Sequence, residues 1–213
     1  MSEESKDKNI EEKLNILDSI ALSLILIFFV CLLTFVTSNS NCDKEQIMID
    51  NFFNDVQQIV IEKEENYKEE NVTNKNDNYL AILEIPKINI LKGFFDKNSK
   101  YNDVNQNIEI LEPSIMPEDG NDSRIILAAH SGNGSKSFFK NLYKLEHSDK
   151  AYIYYKGLKY VYEIVKIEYQ DKDGKIRLSE LEQDSYLILT TCDQKDKTKQ
   201  IVITAKLINT ENY

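Results

Sequence analysis

The chain has 213 residues, room for one ordinary domain with appendages. Its formal net charge of −10 argues against nucleic-acid binding, which needs a basic face. A hydrophobic fraction of 41% beside 29% charged residues describes a globular part, with one apolar exception near the N-terminus.

Residues 1–15 are charged and read as a disordered tail. From Ile20 to Val36 the chain carries no charge and is dominated by Leu, Ile, Phe and Val. Taken over residues 16–38, this reaches the length of a spanning helix, about 17–25 residues. A cleaved leader is the rival. It needs a shorter apolar region, about 7–15 residues, ending in a small-x-small site. Thr37-Ser38-Asn39-Ser40 matches that site poorly, so an uncleaved anchor is expected. Lys6, Lys8 and Lys13 precede the apolar run and Lys44 follows it, a bias that puts the N-terminus in the cytoplasm and the rest outside the cell.

Residues 39–78 divide in two. Ile49, Phe52, Phe53, Val56 and Ile59 or Val60 recur at helical spacing, predicting an amphipathic helix that docks on the domain or on another stalk. Glu62 to Asn78 is rich in Glu, Lys and Asn, and reads as a solvated linker.

The folded domain is expected over 79–213. Its predicted strands are Leu80–Ile85 (closed by Pro86), Ile88–Leu91, Asn107–Leu111, Arg124–Ala129, Ala151–Tyr155, Leu158–Ile167, Ser185–Thr190 and Gln200–Leu207. Lys156-Gly157 makes the turn of a hairpin, and Phe138, Phe139, Leu142 and Leu145 mark one short helical stretch. So many short strands with little helix predict an all-β sandwich or barrel; closing the edges of a short sheet selects the barrel. The turn Asp171-Lys172-Asp173-Gly174 has some calcium-loop character, but lacks the ligand spacing and the distal bidentate Glu. It is read as a hairpin turn, and no metal or cofactor is expected.

The chemistry lies at two strand ends. The apolar run Ile125-Ile126-Leu127-Ala128-Ala129 ends in His130-Ser131-Gly132-Asn133-Gly134. The run Tyr186-Leu187-Ile188-Leu189 ends in Thr190-Thr191-Cys192, followed by the charged loop Asp193 to Lys199. A thiol and an imidazole delivered to the ends of two strands suggest a cysteine nucleophile with its acid/base partner. The bland alternatives are a buried apolar cysteine, a disulfide between Cys42 and Cys192, and a hydrogen-bonded structural histidine. His147 reads as a surface residue.

These residues resemble the sortases, membrane-anchored cysteine transpeptidases of Gram-positive cell envelopes. Leu189-Thr190-Thr191-Cys192 is similar to the family's Leu-x-Thr-Cys motif, Ala129-His130-Ser131 to its histidine segment, and Ile85-Pro86-Lys87-Ile88 to its early Ile-Pro strand. The resemblance runs from about Tyr79 to Leu207. It implies a closed eight-stranded β-barrel behind an N-terminal transmembrane helix, with Cys192 and His130 catalytic. It also implies a Leu-Pro-x-Thr-Gly-like sorting signal on partner surface proteins, and an amine acceptor such as a cell-wall precursor. Thr191, Ala129 and Ser131 are candidate substrate contacts. One departure stands out. The family's arginine at the start of the last strand aligns with Gln200, preceded by Lys199, so either residue is a candidate for its role. No lid rich in Asp-Pro or Trp precedes the domain, which disfavours a pilin-building type. The alternatives are a surface cysteine peptidase that hydrolyses its substrate, and a sortase-like binding module whose chemistry decayed with the arginine.

Overall fold

A computed structural model describes residues 20, 22–34, 44–54, 78–117, 122–178 and 184–213. It divides into two units, Met1–Ile47 and Met48–Tyr213. In the first, residues 22–34 form a helix whose residues are all exposed. Its hydroxyls are satisfied within the helix: Ser23 Oγ donates to the Ile20 carbonyl at 2.8 Å and Thr34 Oγ1 to that of Cys31 at 2.9 Å. No helix among the described residues is long and apolar enough to cross a membrane. The spanning helix predicted over 16–38 is thus not borne out by the described residues, which hold only part of that range.

The second unit carries eight strands. They are β1 (Ala81–Ile85), β2 (Ile90–Phe94), β3 (Glu109–Ile110), β4 (Arg124–Ala128), β5 (Lys150–Tyr155), β6 (Leu158–Asp171), β7 (Tyr186–Cys192) and β8 (Lys199–Asn212). Their order in the sheet is β2-β1-β5-β6-β8-β7-β4-β3. Among the described residues the two ends of the sheet meet through one bridge, Phe94 with Ile108, so the barrel is nearly closed rather than fully laddered. Pro86 ends β1, as its missing N–H requires, and starts a single 3₁₀ turn, Pro86–Ile88; Asn89 then turns the chain in the left-handed region at φ 53°. The second helical stretch shrinks to another 3₁₀ turn, Leu142–Lys144.

Strand alternation builds the core. Leu83, Ile85, Phe94, Ile125, Leu127, Ile153, Leu187, Leu189, Ile201 and Ile203 turn inward into one apolar cluster. The long β6–β8 ladder bends at irregularities between Val161 and Tyr162 and between Ile164 and Lys166, the kind of local kink that lets a strand wrap a barrel.

A third element closes the other side. Residues 44–54 are helical, and Ile49 is buried there with Tyr79, Ile82 and Phe95, joined by Phe52, Phe53 and Tyr154. Phe53 meets the rings of Tyr154 and Tyr213 edge-on at 5.1 and 5.4 Å. Of the two uses foreseen for this stripe, docking on the domain is the one seen; Val56, Ile59 and Val60 lie outside the described residues. Beside this seam Gly93 has no substitute, because a Cβ there would stand 2.1 Å from the Tyr79 ring.

One expectation is corrected. Asp171 to Gly174 does not join paired strands, because β6 pairs with β5 and β8 and never with β7. It opens the β6–β7 connection, where Asp173 is ion-paired with Arg177.

Candidate active site

β4 and β7 are parallel neighbours in a constant register, from Arg124 beside Tyr186 to Ala128 beside Thr190. That register, carried two residues further along each chain, reaches His130 and Cys192. Side chains in register on parallel strands project from the same face of the sheet, with strands about 4.8 Å apart.

Alternation shows which face. Ile125, Leu127, Leu187, Leu189, Ile201 and Ile203 belong to the main core. Ile126, Tyr186, Ile188 and Val202 form a separate cluster on the opposite side. Cys192 and His130 have the phase of that outer cluster, and so does Gln200, which pairs directly across from Cys192 in the β7–β8 ladder. Cys192 and Gln200 share one face of the sheet, and the alternation of β4, carried two residues past its end, sets His130 on the same side. Cys192 is a free, half-buried thiol, and His130 is exposed.

The other candidates fall elsewhere. Thr191 is buried and its Oγ1 donates to the Ala129 carbonyl at 2.6 Å, replacing a ladder bond where the parallel pairing runs out. Ala129 lies in the core and Ser131 is buried. Thr191 and Ala129 have the phase of the core and lie on the side of the sheet opposite to that of Cys192. Lys199 has the opposite phase from Gln200. Its ammonium hydrogen-bonds Asp171 Oδ1 at 2.6 Å, and that bond holds it above the usual lysine range. Of the two candidates for the arginine's place, only Gln200 is paired across from Cys192.

Gln200 is itself engaged. Buried beside the sheet, it donates from Nε2 to the Lys175 carbonyl at 2.5 Å. That bond ties it to the β6–β7 connection, whose Ile176 and Leu178 pack on Ile126, Ile188 and Val202. That connection therefore lays apolar side chains on the face of the sheet that the phase assigns to Cys192.

Two polar residues absent from the sequence reading also enter the site. Gln194 donates from Nε2 to the Ser131 carbonyl, and to that of Lys140 at 2.7 Å, stitching the cysteine loop to the histidine loop. Asn105 Oδ1 lies 3.3 Å from His130 Nε2. Asp103 Oδ1 accepts from both the backbone N–H and the Nδ2 of Asn105 at 2.9 Å. The bond from the Asn105 backbone, then the Gln106 amide, hold the Asp103 carboxyl below its usual range, with His130 adding a smaller attraction. The sequence signal was Asp-x-Asn, a pattern that builds an Asx turn. Nothing local says that this turn faces a histidine 25 residues away.

Among the described residues no group of three or more His, Cys, Asp or Glu side chains is arranged to hold a metal ion. These residues comprise a nucleophile, a proton carrier and a neutral amide donor, the parts of an acyl-transfer centre.

A family model described as the Sortase domain matches residues 83–208. Comparison with curated proteins finds no match. Among solved structures, a Clostridium perfringens sortase D5 transpeptidase is similar, with 21% identity, TM-score 0.57, and coverage of 78% of this chain and 98% of that one. A pilus-related sortase C of Group B Streptococcus shares 23% identity at TM-score 0.54 over 68% of this chain and 77% of that one. A lid mutant of Corynebacterium diphtheriae sortase A shares 21% at TM-score 0.54 over 62% and 70%. At these identities the structural likenesses speak for the fold alone.

Proposed function

This chain belongs to the sortase family, and on that premise we propose that it is a cysteine transpeptidase acting on a C-terminal sorting signal of the Leu-Pro-x-Thr-Gly kind. The observation that carries the reading is the β4–β7 register, which leads to His130 and Cys192 at adjoining strand ends on the face that also bears Gln200.

The Cys192 thiolate attacks the threonine carbonyl of the signal. The tetrahedral intermediate collapses as the bond to glycine breaks, and His130 gives its proton to the departing amine. A thioester on Cys192 remains. An acceptor amine then attacks it and loses a proton to His130, a new amide bond forms, and the cysteine leaves as thiolate. The Gln200 amide serves as the donor to the substrate oxygen; as a neutral group it stabilises an oxyanion less than the guanidinium that the family places there. To serve, it must release the Lys175 carbonyl. The partners are surface proteins carrying the signal, and an amine of the cell wall or of another protein. In this proposal the apolar segment 16–38 anchors the enzyme, with the catalytic unit outside the cell.

The test is a quenched fluorescent Leu-Pro-x-Thr-Gly-type peptide given to the full chain in detergent, with and without an added amine. Mass spectrometry should detect a thioester on Cys192 and an amine-linked product, both absent in Cys192→Ala. Cleavage that never incorporates the amine points to a hydrolytic peptidase. Binding without a thioester points to a decayed binding module, the reading that Gln200 in place of arginine favours.

A further inference from the structure

We infer that Asn105, keyed by Asp103, is a positioning residue for His130: it holds the imidazole with a proton on Nε2 and leaves Nδ1 as the nitrogen whose proton comes and goes. The inference rests on the reading of His130 as acid and base given above.

The argument is one of donors and acceptors. An ionised carboxylate only accepts hydrogen bonds. Asp103 Oδ1 takes the Asn105 backbone N–H and Nδ2, each at 2.9 Å, and Asp103 Oδ2 takes Gln106 Nε2 at 3.2 Å. The nitrogen end of the Asn105 amide is therefore committed, and its oxygen is the end that meets the ring, 3.3 Å from Nε2. An oxygen facing Nε2 requires an N–H there. The same oxygen suits the neutral Nε2–H tautomer and the imidazolium, so it stays satisfied through the catalytic cycle. The contact is long for a neutral pair, and a hydrogen bond from a charged ring is shorter and stronger. The gain thus falls on the state in which His130 carries the proton for the leaving amine.

The loop that presents Asn105 is held from three sides. Val104 N donates to Glu109 Oε2 at 3.0 Å, Asn107 N to the Asp103 carbonyl at 2.8 Å, and Lys136 Nζ to the Gln106 carbonyl at 3.4 Å. Glu109 sits on β3, the partner of β4, so the turn is anchored to the strand that leads to the histidine. A matched control exists in the same chain. Asn98 makes the same turn on Asp96, with N and Nδ2 at 2.9 and 3.1 Å from Oδ1, and it is not the partner of the imidazole.

The experiment uses the full chain in detergent micelles, with Asn105→Ala, Asp103→Asn, Asn98→Ala and His130→Ala. Peptide turnover and the NMR signals of isotope-labelled histidine are both read, with His130→Ala assigning which of the two histidines is which. Asn105→Ala is expected to lower kcat about tenfold, the loss of one ordinary hydrogen bond, with KM little changed. It also moves the His130 ring nitrogen shifts away from those of a fixed Nε2–H tautomer. Asp103→Asn moves those shifts part of the way, because the Asn105 amide is then free to turn over. Asn98→Ala changes neither readout. The inference is overturned if Asn105→Ala leaves those shifts unchanged and loses no more turnover than Asn98→Ala while His130→Ala abolishes turnover. Should His130→Ala leave turnover intact, the acid/base reading fails instead, and the NMR arm still decides whether Asn105 sets the tautomer.

Discussion

At the scale of single residues the site turns on phase. Lys199 and Gln200 are neighbours, yet one pairs with Asp171 while the other stands opposite Cys192. Gln200→Arg is therefore expected to raise kcat/KM by about tenfold, a part of what a good oxyanion donor is worth. Lys199→Ala should leave turnover nearly unchanged, since an exposed ion pair contributes little. Steady-state kinetics on the sorting peptide checks both, and a slower Gln200→Arg enzyme would refute the role given to that position. Tyr162 makes a second residue-scale prediction. Its hydroxyl is buried beside the Ser123 side chain, and burial pushes its phenol up to about 12. The folded state keeps that proton after the unfolded chain begins to lose it near about pH 10. The associated stability is thus complete below pH 10 and is lost as pH rises through the folded value. Tyr162→Phe should flatten that alkaline loss in denaturant titrations from about pH 9 to 12.

At the scale of elements, helix and strand assignments depend on different amounts of context. Pro86 ended a strand where a proline must, and the two apolar runs leading to His130 and Cys192 are β4 and β7. The stretch around Phe138 to Leu145 had helical spacing but only a single 3₁₀ turn of regular helix, because Phe139, Leu142 and Leu145 bury into the barrel as a plug. The helix over 44–54 illustrates the opposite case, an amphipathic pattern whose partner decides its use. Phe53 inserts between Tyr154 and Tyr213, and Tyr154 is itself held by Glu84 at 2.6 Å. Phe53→Ala is expected to destabilise the domain by about 2 kcal/mol, less than a fully buried aromatic because the ring is only partly covered. Thermal unfolding should show the shift, with turnover per folded molecule unchanged. A loss of activity without a loss of stability would mean that the helix acts on the site.

For the whole molecule, the unit Met48–Tyr213 holds the main core, the part of the docked helix from Met48 onward and every candidate catalytic residue. A fragment of residues 48–213 is expected to fold cooperatively and to process the peptide at the rate of the full chain. Removing residues 48–78 as well should lower its unfolding midpoint, since Tyr79, Ile82 and Phe95 would lose their cover. If the 48–213 fragment does not fold, the division into units has no thermodynamic meaning.

What the sequence determined by itself was local: eight apolar runs with their breakers, a thiol and an imidazole at two strand ends, and a glutamine and a lysine where a guanidinium was expected. Such features are legible because strand alternation, proline and turn chemistry act over a few residues. Only the tertiary structure decided that β4 and β7 lie side by side and parallel, that Gln200 shares the sulfur's face while Lys199 and Thr191 do not, and that Asn105 reaches His130. Those outcomes follow from sheet order and register, which hydrogen-bonded pairing between distant segments sets and no short stretch of chain encodes.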